Sequence, residues 1–553
     1  MQQKLGTSWN EVFGRAREAA PEAFGSDRLA NHIGGEWKFV GETKPHAVSI
    51  DGSLIPGPPR VDHDTAVLAV DQAKLQHVAW SQVPLDERQR RVHHAVTLLR
   101  EHRDTIALLL MWEIGKPWRI ACADVDRCVD GVDWYLGEIE RQMQGRTPLQ
   151  GPISNIASWN YPLSVLVHAE LVQLLAGNAV IAKTPSQGGF HALTLSHALM
   201  ARAGLPVTLL SGVGGELSDA LISSTQLGAL AFVGGRSNGR KAASMLADLR
   251  RRHILEQEGL NAWGIWNFSQ WSLLAGHVKK GFEYAKQRCT AYPRYVIQRQ
   301  LLPDFLAMYT EVVGSLNFGN PFAVESADDP FQDFDFGPVI SQNKATDLQA
   351  RYDEAIRIGG IPLICGDLRA GKFIDGQDTS AYVAPACVLN PPSNWSLHHS
   401  EPFGPLDSIV LVDTESELLA AMNVSKGHMD CLDVRKAVFF AINTQALIDL
   451  SGGSVFYGDP GDNPVKPVLG LDYKKTTGNI HDANWKITGN ADYSKTLLAK
   501  AKTSCPDAYA RATDADKGIT WDIAQSATNQ KAAVLITDAL KAAGINIKFN
   551  YIP

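Results

Sequence analysis

The chain has 553 residues but few cysteines, and its seven cysteines form no CxxC pair. A sparse, odd-numbered set argues against a disulfide scaffold and against a zinc site, and it is typical of free thiols in a reducing compartment. We therefore predict that the protein has no metal site and that its location is cytoplasmic.

The sequence also lacks a basic tract, a leader-like apolar stretch and an uninterrupted apolar segment of membrane-spanning length. The net charge is −7, from 52 basic and 59 acidic residues, so nothing indicates a nucleic-acid partner. The N-terminus, MQQKLGTSWNEVFGRAR, has no apolar core of the kind that secretory signals carry. The longest apolar region, LSVLVHAELVQLLAGNAVIA, is interrupted by polar residues such as Glu170 and Asn178. This pattern predicts a buried helix, a turn and a strand, and no membrane partner.

Strands and helices alternate between residues 160 and 256. The predicted strands are AVIAK, VTLLSG, LGALAFVGG and HILEQEG, and helical stretches separate them. Strict alternation predicts βαβ units and therefore a Rossmann-like, doubly wound parallel sheet, which binds ligands at the carboxyl ends of its strands. The region from 270 to 440 continues in mixed α/β style, with YVIQ, IPLICG and SIVLVD as strands, and predicts a second α/β domain.

Two further regions complete the predicted organisation. The segment DERQRRVHHAVTLLREHRDTIALLLMWEIGKP predicts one long amphipathic helix that ends at Gly115. From about residue 485 the chain is polar and loosely patterned, and then predicts a strand, a helix and a strand in ITWDIAQ, NQKAAVLITDALKAAG and INIKFNY. Four regions are predicted. Residues 1–255 form N-terminal helices and the doubly wound ligand-binding domain, and residues 256–440 form the second domain, which contains Cys289. Residues 441–484 return to the first domain, and residues 485–553 are a C-terminal extension.

Four short stretches carry residues suited to chemistry: ASWNYP, LEQEG, KQRCT and EPFGP. Each is weak alone, since most free cysteines are inert and an Asn before Tyr-Pro is usually a turn residue. Together with EIGKP, AGNAVIAKTP and the glycines of FVGGRSNG, in this order, they resemble the aldehyde dehydrogenase superfamily from about residue 30 to about 480. The resemblance implies an NAD(P)-dependent oxidoreductase that converts a small aldehyde to a carboxylic acid.

The resemblance also assigns catalytic roles to three residues. It makes Cys289 the nucleophile, whose thiolate adds to the aldehyde and later carries a thioester. The Asn160 side-chain amide and the Cys289 backbone N–H become the donors that stabilise the oxyanion. Glu256 becomes the general base that activates the hydrolytic water.

The cofactor-binding residues follow from the same resemblance. Lys183 leaves AVIAK at its carboxyl end, where the adenosine ribose lies in this family, and Ser186 stands where a glutamate usually contacts both ribose hydroxyls. Without that carboxylate a 2′-phosphate meets no repulsion, which favours NADP over NAD without excluding NAD. The other cofactor-binding residues implied are Gly234 and Gly239 at the pyrophosphate, Glu401 at the nicotinamide ribose, Phe403 at the nicotinamide, and Trp159.

Three residues are predicted to lie near the substrate, namely Tyr161, His168 and Arg288. Arg288 adjoins the nucleophile and would lower the pKa of its thiol or meet an anionic substrate. The alternative is a structural ion pair that turns its side chain away. His168 has a structural alternative as well, and no motif selects among aliphatic, aromatic and semialdehyde substrates.

The sequence departs from the family at several points. The segment GRTPLQGPISN is too short for the usual intersubunit hairpin, so a homo-oligomer is possible but lacks its customary contact. Gln257 and Glu258 replace the usual Leu-Gly and place a further negative charge near the base. VLGLDYKKTTG only roughly matches the family's glycine-rich segment, and NQKAAVLITDALKAAGINIKF is similar to a piece of the peptide-binding extracellular solute receptors. Two alternatives stay open: a CoA-acylating relative, and a catalytically silent scaffold with this fold.

Overall fold

The computed structural model divides the chain into two compact units, residues 1–411 and 412–553. The first unit is described almost throughout, and the second mainly from residue 488 onward. The residues described are 1–246, 249, 251–392, 394–398, 400–415, 417–418, 434, 437–438, 441–442, 488–504, 506–516, 518–524 and 527–552.

The described residues form short strands and longer helices in alternation. The strands are β1 (Gln2–Gln3), β2 (Asn31–Ile33), β3 (Glu36–Lys38), β4 (His46–Ala47), β5 (Leu54–Ile55), β6 (Ile153–Ile156), β7 (Val180–Lys183), β8 (Val207–Leu210), β9 (Ala229–Val233), β10 (Arg252–Glu256), β11 (Ala262–Ile265), β12 (Arg294–Gln298), β13 (Ala323–Val324), β14 (Ile361–Cys365), β15 (Ala386–Leu389), β16 (Leu406–Val412), β17 (Ile519–Ala524) and β18 (Ile547–Ile552). The helices are α1 (Trp9–Ala19), α2 (His63–Trp80), α3 (Leu85–Glu101), α4 (Arg103–Ile114), α5 (Trp118–Met143), α6 (His168–Leu175), α7 (Phe190–Arg202), α8 (Gly214–Ser218), α9 (Arg236–Leu246), α10 (Trp271–Phe282), α11 (Leu302–Gly314), α12 (Gln342–Arg357), α13 (Ala491–Ser504), α14 (Pro506–Thr513) and α15 (Ala527–Ala542). Short π-helical turns span Pro162–Val167 and Asp219–Ser223, and short 3-10 turns span Glu283–Lys286, Arg299–Leu301, Leu368–Ala370 and Ser396–His398.

The first sheet has seven strands in the order β10-β9-β6-β7-β8-β2-β3. The strands from β10 to β8 are parallel, whereas β2 is antiparallel to both β8 and β3. Every residue of β7 and β8 is buried, as expected for parallel strands that are covered on both faces. Ile156 at the end of β6 lies opposite Lys183 on β7 and Phe232 on β9, so the loops after these three strands leave the sheet at one edge. The predicted Rossmann-like sheet is confirmed.

The predicted single helix before Gly115 is wrong, because the structure breaks it into α3 and α4 at His102. His102 has φ −102° and ψ 13°, outside helical values, and its backbone N–H closes the last turn of α3. Gly115 ends α4 in the left-handed conformation, with φ 68°. A side chain there would meet the Pro338 ring, which explains glycine at this position.

The second sheet of the first unit has the order β11-β12-β16-β15-β14. β11 is parallel to β12 and β15 is parallel to β16, whereas β14 is antiparallel to β15. Its core includes Tyr295, Phe305 and Tyr309; the Phe305 and Tyr309 rings stack, and Tyr295 packs at a tilt on Phe305. The change from the first sheet to the second lies between Glu256 and Ala262, next to the predicted boundary at 255.

The second unit contains α13, α14, the strands β17 and β18, and α15 between those strands. β17 and β18 are parallel, so the predicted strand, helix and strand form one βαβ unit. The polar stretch before them, for which we predicted no element, is helical. Its buried side chains include Leu497, Leu498, Ala501, Ala508 and Ala512, and the small alanines give a weak hydrophobic period. The predicted return segment 441–484, apart from residues 441–442, and VLGLDYKKTTG lie outside the described residues.

The described residues lack both a membrane-spanning helix and a metal-binding group. Within those ranges no helix is long and apolar enough to cross a membrane. The same ranges hold no group of three or more histidine, cysteine or acidic side chains placed to bind a metal.

Candidate active site

One cavity of about 910 Å³ lies at the carboxyl ends of β6, β7 and β9, in the first unit. This volume is in the range of small-molecule and cofactor sites, and the position is the one that doubly wound sheets use for ligands. It is lined by nine predicted site residues: Trp159, Asn160, Tyr161, Lys183, Ser186, Gly234, Cys289, Glu401 and Phe403. The structure therefore brings together residues that are far apart in the sequence.

The nucleophile loop, residues 284–291, carries Cys289 at the edge of this cavity. Three consecutive residues, 284–286, have left-handed backbones with φ of 52° to 57°, which is costly for residues other than glycine. Lys286 holds this conformation through its Nζ, which lies 2.6 Å and 2.8 Å from the two carboxylate oxygens of Asp407. Both partners are buried, so the ion pair fixes the backbone that leads to the cysteine.

Two amide side chains hold the rest of the nucleophile loop. Gln287 accepts a hydrogen bond from the Ile340 backbone N–H at 2.8 Å and donates to the Pro338 carbonyl at 3.1 Å. Asn261 donates to the carbonyl oxygens of Cys289 and Ala291. Our sequence analysis missed Asn261, Gln287, Lys286 and Asp407 as positioning residues. The one available signal was that Lys286 and Gln287 lie three and two residues before the cysteine of KQRCT.

Asn160 lies next to this loop, as its predicted role requires. Its Nδ2 donates to the Gln287 carbonyl at 3.0 Å, and the side chain is 8% exposed. An amide nitrogen carries two hydrogens, so one N–H is left to donate to another acceptor.

The Cys289 residue is exposed, but its thiol is not activated by its surroundings. Partial burial raises the pKa of the Cys289 thiol above its ordinary value, and the carboxylates of Glu401 and Glu256 raise it further. A hydrogen bond from its own backbone lowers the pKa, but by less than burial raises it. The thiol is therefore protonated at neutral pH, and thiolate formation needs an added positive charge or a base.

Glu401 and two aromatic rings form the opposite wall of the cavity. Burial raises the pKa of Glu401 to about 8, and the hydrogen bond that its carboxylate accepts from the Gly259 backbone N–H at 3.2 Å opposes this shift. Its Oε1 is buried without a hydrogen-bond partner among the described residues. Trp159 meets Phe403 edge to face, with ring centroids 5.8 Å apart. This wall combines an acceptor with a flat apolar surface.

Lys183 and Ser186 line the cavity at the end of β7. Burial lowers the pKa of Lys183 to about 8, and its Nζ donates to the Thr184 carbonyl at 2.9 Å. A second cavity of about 50 Å³ shares Ser186 and is also lined by Lys44, His46 and Arg60. Cationic side chains therefore surround the position where the family usually has a glutamate.

The glycines after β9 allow two close approaches. Gly234 lines the cavity, and its backbone N–H donates to the Glu256 carbonyl at 3.1 Å. Gly239 does not line the cavity. A Cβ at Gly239 would lie 2.5 Å from the Gln257 side chain, so this glycine makes room for Gln257.

The structure does not bring Glu256, His168 or Arg288 to the cavity wall. Glu256 is the exposed last residue of β10, at the edge of the first sheet. His168 packs on Tyr135, with ring centroids 5.8 Å apart. Arg288 turns to the end of α10, where its guanidinium donates to the carbonyls of Lys280 and Gly281. The side chain therefore points away from the cavity, as in the structural role that we gave as the alternative.

Comparisons with known proteins agree with this geometry. The aldehyde dehydrogenase family profile matches residues 42–428. The D-glyceraldehyde dehydrogenase (NADP(+)) of Picrophilus torridus is 25% identical over 423 residues, which are 71% of this chain and 81% of that protein. The NADP-dependent glyceraldehyde-3-phosphate dehydrogenase of Pisum sativum is 28% identical over 404 residues, 67% of this chain and 76% of that protein.

A solved structure shows the same fold. The NADP-dependent glyceraldehyde-3-phosphate dehydrogenase from Bacillus halodurans, complexed with NADP, aligns with a TM-score of 0.64 at 24% identity, covering 72% of this chain and 84% of its own.

The end of the chain matches a different family. The profile of bacterial extracellular solute-binding proteins, family 5 middle, matches residues 395–553, which include the segment we found similar to such receptors. The predicted fold class, enzyme class and dependence on a nicotinamide dinucleotide are confirmed by the comparisons over the rest of the chain. Because the first profile covers most of its length, this chain belongs to the aldehyde dehydrogenase family.

Proposed function

We propose that the protein oxidises a small aldehyde to a carboxylic acid through a thioester on Cys289, with NADP preferred to NAD. The observation that carries the proposal is that one cavity is lined by Cys289, Asn160 and every predicted cofactor residue except Gly239. Relatives named for glyceraldehyde and betaine aldehyde oxidation support the reaction class.

The residues present suit a bound dinucleotide along most of the cavity. Lys183 and Ser186 would hold the adenosine ribose, and Glu401 and Phe403 the nicotinamide riboside. When bound, the dinucleotide supplies the hydride acceptor. Its nicotinamide also carries the positive charge that would favour a thiolate at Cys289.

The first half-reaction is carried by the nucleophile loop. Cys289 loses its thiol proton to solvent, and its sulfur bonds to the carbonyl carbon. The carbonyl oxygen becomes an oxyanion that accepts hydrogen bonds from the Asn160 amide and the Cys289 backbone N–H. Losing one such donor typically slows acyl chemistry by about 10²–10³. Loss of hydride from the adduct, for which a bound dinucleotide would be the acceptor, would re-form the C=O bond and leave a thioester on the sulfur.

Hydrolysis completes the turnover. Water adds to the thioester carbonyl and gives a proton to Glu256, after which the C–S bond breaks and the thiol is restored. Glu256 is exposed, so water reaches it freely, and its charge already acts on the thiol of Cys289. Because Glu256 does not line the cavity, it would act through an intervening water.

The preference for NADP is supported by the groups around Ser186. Lys44 and Arg60 line the small cavity beside it, and Lys183 lines the main cavity with it. A 2′-phosphate at Ser186 would meet these cations, whereas the ribose hydroxyls of NAD would find no carboxylate on Ser186. The cytoplasmic location, which the free thiols favour, is part of the same proposal.

The test measures cofactor reduction by the full chain with a panel that includes glyceraldehyde, glyceraldehyde 3-phosphate and betaine aldehyde. We expect turnover with NADP exceeding that with NAD, and none in Cys289→Ser. Cys365→Ser is the matched control, because Cys365 is also exposed and does not line the cavity. Ser186→Glu should reverse the cofactor preference.

Three outcomes would contradict parts of the proposal. Turnover that survives in Cys289→Ser would exclude a thioester on Cys289 as an intermediate. Turnover that requires CoA would assign the second half-reaction to CoA instead of water. Dinucleotide binding without turnover of any aldehyde would favour the scaffold alternative.

A further inference from the structure

Glu258 lies where the cavity meets the start of α9. Its Oε1 accepts a hydrogen bond from the backbone N–H of Arg236, the first residue of α9, at 3.1 Å. Its Oε2 lies 3.9 Å from the Arg236 guanidinium. Because the first backbone N–H groups of a helix have no partner within the helix and carry partial positive charge, a carboxylate is stabilised there.

The same turn is the expected position of a dinucleotide diphosphate. Gly234 and Gly235 join β9 to α9 and line the cavity together with Glu258. A diphosphate at this turn would use the N–H groups at the helix start. One N–H cannot serve both anions fully, and the two anions repel each other.

A second observation shows that the charge of Glu258 acts inside the cavity. It is among the groups that raise the pKa of Glu401, whose buried Oε1 has no partner in the described part of the chain. The carboxylates that raise the pKa of Cys289 are those of Glu401 and Glu256. The charge of Glu258 therefore reaches the cofactor side of the site.

We propose that Glu258 is a built-in competitor for the cofactor diphosphate and lowers the affinity for dinucleotides. The proposal rests on the function proposed above, since it takes the β9–α9 turn as the diphosphate site. A dinucleotide binds after the carboxylate leaves the Arg236 N–H, and the Arg236 guanidinium offers it a second partner nearby. Adenine and ribose recognition at Lys183 and Ser186 is unaffected.

The test is isothermal titration calorimetry on the full chain with ADP-ribose and with adenosine. Only ADP-ribose carries the diphosphate. We expect Glu258→Gly to bind ADP-ribose about tenfold tighter or more, because releasing a hydrogen bond to a charged group costs about that factor. Its affinity for adenosine should stay within about twofold. Glu258→Gln keeps an acceptor but loses the charge. Its affinity for ADP-ribose should lie between those of the wild type and Glu258→Gly.

The control and the outcomes separate this inference from the proposed function. Glu311→Gln removes a charge from the exposed face of α11 and should change neither affinity. Equal ADP-ribose affinity in the wild type and Glu258→Gly, with aldehyde turnover intact, would overturn this inference alone. A parallel gain for adenosine would also overturn it. Failure of every variant to bind ADP-ribose would overturn it together with the proposed cofactor site.

Discussion

Replacing Glu401 by Gln should remove a loss of stability that the wild-type protein shows as pH rises from about 6 to 9. The carboxyl of Glu401 is 8% exposed, and burial raises its pKa to about 8. The hydrogen bond from Gly259 opposes this shift, and the charge of Glu258 adds to it. The folded protein therefore holds a proton at Glu401 that the unfolded chain has already released.

The sign and size follow from linkage. For an acid whose pKa is raised on folding, stability is greatest below the unfolded pKa and is lost as pH rises towards the folded pKa. With an unfolded pKa of 4.5 and a folded pKa of about 8, the loss between pH 6 and pH 9 is about 2.7 kcal/mol. This is an upper value, since a charged side chain that turns towards water relieves part of the cost.

The assay is urea unfolding of the wild type and of Glu401→Gln at several pH values, without nucleotide. In the wild type, the free energy of unfolding of the first unit should fall as pH rises from 6 to 9. In the variant, this fall should be smaller by about 2 to 3 kcal/mol. Glu311→Gln, an exposed charge removal, should keep the wild-type slope. Identical slopes in the wild type and Glu401→Gln would refute a neutral, buried carboxyl at this position.

Two further predictions concern the nucleophile loop. Because the pKa of the Cys289 thiol is raised, the rate of its alkylation by iodoacetamide should still increase above pH 9, with exposed Cys365 as internal reference. The same cysteine should be alkylated faster in Glu401→Gln. A rate that reaches a plateau below about pH 8 would contradict the raised pKa. Lys286→Met should destabilise the first unit by about 3–5 kcal/mol, because it leaves Asp407 buried and unpaired. Lys286→Met/Asp407→Asn should recover part of that loss in urea unfolding, since Asn still accepts from the Tyr309 hydroxyl, and no recovery would argue against an ion pair.

Four strands of the first sheet, β7 to β10, were predictable because they are short runs at regular intervals between helices. The other three, β2, β3 and β6, were not among the predicted strands. The break at His102 was not predictable, because the hydrophobic period of α3 continues into α4 and the turn is marked by neither glycine nor proline. α13 and α14 were not predicted either. Their buried faces combine Leu497 and Leu498 with alanines, which contribute little to a hydrophobic pattern.

The site was predictable where a motif fixes the backbone, and less so where a side chain chooses between partners. Asn160, Cys289 and Glu401 reach one cavity because they lie in short connections four or five residues from strands β6, β12 and β16. Arg288 adjoins Cys289 in sequence, but the carbonyls at the end of α10 draw its guanidinium away. Those acceptors are set by tertiary packing, which spacing along the chain does not encode.

Glu256 and Glu258 show how two identical side chains on one segment acquire different environments. Glu256 is the last residue of β10 paired with β9, opposite Val233, so its backbone is held in the sheet. Residues 257–259 leave the sheet, and Gly259 is anchored by the Glu401 carboxylate at 3.2 Å. Between these two anchors Glu258 meets the first N–H of α9, a donor supplied by a different element. The chemistry of the segment is therefore decided by which donors surround each carboxylate, and a binding measurement on Glu258 variants tests that conclusion more directly than turnover does.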